Sequence, residues 1–296
     1  MPELPDVTIY VEKLAELLVD QPLERIRIQR PFALRSVSPK PADLELRLVT
    51  GVRRLGKRIV VELQQDLFIV IHLMIAGRLL WRSQPGAKSP GKIGVAAFVF
   101  PNGTLLMTEA SSKKRASIHL VRGQDGLKEH MPGGADVFAI GSDEFRRILS
   151  QENRTLKRAL TNPHWFDGIG NAYSDEILHA ARLSPMRLTG SLSEEEMERL
   201  LGACRRVLSE WTERLRSQFA GKFPGSGEVT AFRPEFAVHG KFDKPCPVCG
   251  RPVQRIVYAD NETNYCAECQ NEGRILADRS LSRLLKGDFP RGFDDD

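Results

Sequence analysis

Near the end of the chain two Cys-x-x-Cys pairs, Cys246-Pro-Val-Cys249 and Cys266-Ala-Glu-Cys269, flank residues 250–265. Pairs so spaced bring four thiolates together at a hairpin, the tetrahedral arrangement that zinc takes in closed structural sites. Four protein ligands leave no coordination position for water, so the expected Zn2+, one per chain, serves structure rather than catalysis. The alternatives are unliganded core cysteines or a disulfide framework. The chain start argues against disulfides, because it carries Glu3, Asp6 and Glu12 where a secretory signal would be basic. The remaining cysteine, Cys204, lies on an apolar helical stripe and is expected in a core.

The rest of the sequence divides by periodicity. Val7, Val11, Leu14, Leu17 and Leu18 recur at helical spacing, predicting a helix over 3–18 that holds Pro2 in place. From residue 24 to 122 short β-like runs follow: ERIRIQR, RIVVEL, LFIVIHL, GRLLWR, AAFVF, TLLMT and SIHLV. Asn102-Gly103 between two of them predicts a hairpin turn with positive φ. From Asp143 to about Phe219 the pattern is helical, and Ser193 with Glu196 has the spacing of a capping box before the longest helix. The fold class expected is α+β and multidomain: an N-terminal β-sandwich with flanking helices, then a helical domain ending in the finger. The boundaries expected are 1–130, a linker at 131–142, 143–238, a finger at 239–273 and a tail at 274–296. With 296 residues and 41% hydrophobic content the chain can bury such cores. The richest apolar stretch, Leu67 to Leu80, is broken by His72, Gly77 and Arg78, so no membrane span is expected.

Three further patterns bear on chemistry. Gly168-Ile-Gly170-Asn171 leads into an apolar-periodic segment, and a glycine turn feeding a helix offers backbone N–H groups to a phosphate. The same residues also fit a plain helix start with an Asn cap. Pro2 is small enough that Met1 should be trimmed, leaving a secondary amine able to attack a sugar C1′, with Glu3 beside it to move protons. Finally, Arg53, Arg54, Lys57 and Arg58, with Lys113, Lys114 and Arg115, place basic groups on the β-domain of a chain whose net charge is +5. That balance permits binding to a polyanion.

The PELP start, the RRLGK segment, GIGNAYSDEIL and the final four-cysteine finger, in that order, resemble the formamidopyrimidine-DNA glycosylase and endonuclease VIII family. The matches run from Pro2 to Gln270. The resemblance implies a helix-two-turns-helix domain and a bifunctional DNA glycosylase and abasic-site lyase. Pro2 would be the Schiff-base nucleophile, Glu3 the proton-transfer group and Lys57 the lysine at the lesion-flanking phosphate. Asn171, with Gly170, would grip a phosphate. The basic residues Arg54, Lys113, Lys114 and Arg115 would line the DNA groove, and Met74 or Ile75 would fill the gap left by the flipped base. The family's finger arginine is replaced by Asn261, and its RRFG segment by SSKKRAS. The expected partner is double-stranded damaged DNA, bound by a monomer in the cytoplasm, as for a bacterial-type enzyme on the chromosome. Oxidised purines are the expected substrates. The alternatives are an endonuclease VIII-like enzyme for oxidised pyrimidines and a noncatalytic damaged-DNA binding protein.

Overall fold

Helix α1 (Leu4–Leu18) begins where its own residues cap it: the Glu3 amide donates to Asp6 Oδ2 at 2.9 Å, and Pro5 sits in the first turn. The computed structural model describes residues 1–258 and 261–276. On α1, Val7, Tyr10, Leu14 and Leu18 are fully buried, each contributing about 1.5–3 kcal/mol by burial. They pack in a core shared by two four-stranded antiparallel sheets. After β1 (Arg25–Ile28) come a short helix α2 (Pro41–Leu44), β2 (Val49–Leu55), β3 (Arg58–Leu63), β4 (Leu67–His72) and β5 (Gly77–Arg82). Then follow β6 (Gly94–Phe100), β7 (Gly103–Glu109), β8 (Ser117–Arg122) and α3 (Gly123–Lys128). The sheet orders are β1-β6-β7-β5 and β2-β3-β4-β8. Ile26, Leu79, Phe98 and Met107 of the first sheet meet Val49, Val61, Ile69 and Ile118 of the second, which makes the expected sandwich. On the outer face of the second sheet a smaller cluster joins Val60, Val70 and Val121 to Leu127 of α3.

Two local expectations change. Strand β2 escapes a period-two reading because its pairing with β3 shifts between Val49 and Gly51, a bulge that breaks the alternation of faces. The β6–β7 hairpin stands where Asn102-Gly103 predicted it, but neither residue has a positive φ. Gly103 is required for space instead: a β-carbon there would lie 2.4 Å from the Trp81 ring.

The chain divides into two compact units, Met1–Pro132 with Trp211–Thr230, and Gly133–Glu210 with the described residues from Ala231 on. The second contains α4 (Ser142–Leu149), α5 (Leu156–Thr161), α6 (Asn171–Ala180) and the first part of α7 (Glu194–Gln218). Helix α7 starts with the predicted capping box: the Ser193 amide donates to Glu196 Oε2 at 2.9 Å, and the Glu196 amide to Ser193 Oγ at 3.2 Å. Leu200, Cys204 and Leu208 line its buried stripe. Burial pushes the Cys204 thiol up to about 12, which makes it an inert core group. Strands β9 (Val253–Tyr258) and β10 (Asn261–Cys266) form an antiparallel hairpin followed by α8 (Ala267–Asn271).

Candidate active site and metal centre

The cap of α1 buries Pro2 and Glu3, with Glu3 only 2% exposed. The chain's amino group, here that of Met1, is held below its ordinary value of 8.0, chiefly by burial. Glu3 and Asp6 favour its charged form, and Arg78 and Lys57 oppose it. Lys57 reaches this neighbourhood from the β2–β3 turn, where Gly56 takes φ 63° and its carbonyl accepts from Arg54 Nη1 at 2.9 Å. Pro2, Glu3 and Lys57, far apart in sequence, therefore gather at the start of α1. Arg54 spends part of its donor capacity bracing that turn.

Arg78 joins them and was missed by the sequence reading, because at the start of a β-strand nothing local marks it as different from a solvated arginine. It also braces the β4–β5 turn, with Nη1 donating to the carbonyls of Ile75 at 3.1 Å and Gly77 at 2.6 Å. That turn is tight: Met74 has φ 52°, and the Gly77 amide donates to the Leu73 carbonyl at 2.8 Å. It leaves Ile75 57% exposed at the tip, while Met74 is half-buried. Of the two residues expected to fill the gap, Ile75 is the one presented outward.

The basic segment after β7 is organised by a second residue that the sequence reading missed, Glu109, which is 1% exposed. Its Oε1 accepts from the amides of Arg115 at 2.8 Å and Ala116 at 3.1 Å, and its backbone carbonyl accepts from Lys114 Nζ at 2.7 Å. Lys114 is thereby folded inward, whereas Lys113 and Arg115 are exposed.

In the second unit Gly170, not Asn171, is the cap of α6, and Asn171 is its first helical residue. Gly168, at φ 77°, makes the turn before it. Asn171 Nδ2 donates to the Glu262 carbonyl in β10 at 3.0 Å, which ties the helix start to the finger hairpin. Beneath lies a buried polar network. Lys157 Nζ donates to the Asn171 carbonyl at 2.7 Å and to Asp175 Oδ1 at 2.5 Å. Asp175 Oδ2 accepts from His239 Nδ1 at 2.7 Å and from the Asn264 amide at 3.1 Å. Next to it the Glu176 carboxylate accepts the amides of Ala237, Val238 and His239 at 2.7–2.9 Å. Burial raises the Glu176 carboxyl above its usual range, against those three amides that favour its charged form. Asp175 and Glu176 fall inside the GIGNAYSDEIL segment, but their partners do not follow from it, since each of their bonds joins segments distant in the chain.

Asn261 opens β10 opposite Tyr258; the expectation for its side chain lies outside the described residues. The four finger cysteines place their Sγ atoms within 4.8 Å of one another, with Cys249 to Cys266 at 3.4 Å and Cys246 to Cys269 at 3.9 Å. A tetrahedral zinc with thiolates at about 2.3 Å needs sulfurs about 3.8 Å apart, so the set fits the ion. His179 Nε2 lies 3.3 Å from Cys246 Sγ and supports that ligand from α6.

Comparison with known proteins agrees with this architecture. Residues 1–113 match the formamidopyrimidine-DNA glycosylase N-terminal domain, 135–219 the formamidopyrimidine-DNA glycosylase H2TH (helix-two-turns-helix) domain, and 243–271 the zinc finger found in FPG and IleRS. The formamidopyrimidine-DNA glycosylase of Symbiobacterium thermophilum is 33% identical, over 98% of this chain and 97% of that protein. The crystal structure of the MutM (Fpg) protein from Thermus thermophilus superposes with a TM-score of 0.76 at 32% identity, covering 92% of this chain and 100% of that one. A Lactococcus lactis Fpg solved with abasic-site DNA shares the fold, with a TM-score of 0.79 at 22% identity over 91% of this chain and 99% of that one. The chain therefore belongs to the formamidopyrimidine-DNA glycosylase family, the DNA glycosylases of base excision repair that also cleave abasic sites.

Proposed function

We propose that the mature chain begins at Pro2 and that its secondary amine removes oxidised bases from duplex DNA through a Schiff base. The observation that carries this reading is the environment of the chain start. Burial, Arg78 and Lys57 all favour the neutral, nucleophilic form of an amine there, and Glu3 lies next to it. The Pro2 nitrogen forms a bond to C1′ while the glycosidic bond breaks, and the base leaves with that electron pair and takes up a proton. Glu3 moves the proton that lets the sugar ring open and the iminium form. The iminium acidifies C2′–H; loss of that proton expels the 3′ phosphate, so the strand is nicked by β-elimination alone or by β,δ-elimination, in which the 5′ phosphate also leaves.

Binding would bend the duplex and extrude the damaged nucleotide, at a cost of a few kcal/mol that is least for damaged pairs. Lys57 and Asn171 are assigned to phosphates beside the lesion, and Arg54, Lys113, Lys114 and Arg115 to the surrounding backbone. Ile75, exposed at its turn, is assigned to the vacated stack. Cys246, Cys249, Cys266 and Cys269 would hold zinc, which would serve as a structural cross-link of the finger rather than act on the substrate. Oxidised purines are the preferred substrates in this reading, supported by the names of the relatives that align over nearly the whole chain. The enzyme would act as a monomer on the chromosome, in the cytoplasm of a bacterial cell.

The test is borohydride trapping of the Met-trimmed protein on duplexes carrying an abasic site, 8-oxoguanine, formamidopyrimidine or an oxidised pyrimidine. An adduct that vanishes in Pro2→Gly, formed fastest on a purine lesion, is expected. Faster trapping on the pyrimidine lesion would move the substrate class. An adduct undiminished in Pro2→Gly would exclude Pro2, and no adduct despite binding would make the protein a noncatalytic DNA binder.

A further inference from the structure

The outer face of the β2-β3-β4-β8 sheet carries a cationic cluster that none of the chemistry above uses. Arg58 and His72 are direct partners across β3 and β4, and His119 on β8 is the partner of Val70. Val60 and Val70 belong to the apolar cluster capped by Leu127 of α3. Side chains alternate between faces along a strand, so Arg58, His72 and His119 stand on that same face. His130, just after α3, meets His119 with ring centroids 4.5 Å apart.

Among the described residues no hydrogen bond or ion pair engages the Arg58 guanidinium, although it is half-buried. Arg35 and Lys57 add positive charge to the histidines from neighbouring segments; among the described residues Glu129 opposes this at His130, and Glu62, on the same face of β3, is paired with Arg53 at 2.6 Å. A partly desolvated guanidinium beside imidazoles, with no carboxylate bonded to it, is an incomplete arrangement. An anion completes it, since guanidinium offers a planar fork of donors to an oxyanion and each imidazole offers an N–H.

We propose that Arg58, His119 and His130 form a seat for a phosphate oxyanion on this face, and that binding brings protons onto the imidazoles. The electrostatics agree in sign. Burial first, and then positive neighbours that include Arg58, hold His72 and His119 down at about 4, and His130 is lowered for the same reasons. A bound anion reverses the electrostatic contribution and raises all three. Between the free value near 4 and the bound value, affinity then rises as pH falls, about tenfold per unit for each histidine that takes up a proton. Phosphate can come from a nucleic-acid backbone or from the free ion.

The experiment follows the histidine side chains by NMR through a pH titration of the zinc-loaded protein alone, with inorganic phosphate, and with an undamaged duplex. The apparent pKa values of His119 and His130 should rise by about one unit or more. Arg58→Gln should weaken the effective ligand about tenfold, and His119→Gln should remove proton uptake at that ring while the His130 signal still reports binding. A rise with the duplex only assigns the seat to the DNA backbone; a rise with phosphate only makes it a site for the free ion. If neither ligand moves the wild-type histidines, the seat is refuted, and the Schiff-base reading stands or falls separately by Pro2 trapping. Loss of trapping with the histidine response intact would remove that reading and leave the seat.

Discussion

A β-carbon on Gly77 would stand 2.2 Å from the Leu73 carbonyl oxygen, which is backbone and cannot swing away. Gly77→Ala is therefore expected to open the β4–β5 turn that presents Ile75, at a cost of about 1–3 kcal/mol, read as a lower midpoint in urea unfolding. An unchanged midpoint would show that the turn tolerates displacement. Acid stability is a second residue-scale matter. His72 and His119 sit near 4 in the folded protein against 6.5 ordinarily, so between those values the unfolded chain binds more protons. Stability then rises with pH through this window and is lost as pH falls from 6.5 toward 4. Urea midpoints measured across the window should fall less steeply in His72→Gln and His119→Gln than in the wild type. Parallel slopes would contradict the burial argument.

At the scale of elements, α5, α6 and the finger hairpin are joined through one buried carboxylate. Asp175 is 0% exposed and binds Lys157, His239 and the β10 backbone. Asp175→Asn leaves Lys157 with an uncompensated buried charge and should cost about 3–5 kcal/mol in urea unfolding. A loss under about 1 kcal/mol would mean that water already screens the pair. The finger depends on its metal in the same way, because the apolar cluster around its cysteines holds few residues besides them. Chelation should speed amide hydrogen exchange in β9, β10 and α8 and leave β6 and β7 protected. Uniform protection after complete zinc loss would show that the hairpin stands without it.

For the molecule as a whole, charge sets how duplex DNA is held. With a net charge of +5 and basic residues around the chain start, affinity is expected to fall linearly on a log-log plot against salt concentration. The slope is about −0.9 for each phosphate neutralised. Arg115→Gln, which removes an exposed charge, should make that slope shallower by about one such increment. Binding indifferent to salt would exclude a phosphate-led interface.

The zinc finger, the sandwich strands other than β2, the α7 capping box and the family were legible in the amino-acid order. Each rests on local spacing: ligand intervals, apolar alternation and cap residues three positions apart. Pro2, Glu3 and Lys57 could be named from motifs in the sequence, but only folding brings the chain start and the β2–β3 turn into one electrostatic neighbourhood. The roles of Arg78 and Glu109 were invisible beforehand, and so was that of Asp175 although it stands in the GIGNAYSDEIL segment. An arginine at a strand start, an acid before a basic loop and an acid on a helix look the same in sequence whether solvated or buried. Their burial and partners come from contacts between segments distant in the chain. Gly103 makes the same point in reverse, since its dipeptide marked a turn correctly while the reason for the glycine was the ring of Trp81 on a neighbouring hairpin. Local spacing is a property of the chain, whereas desolvation and long-range pairing exist only once it has folded.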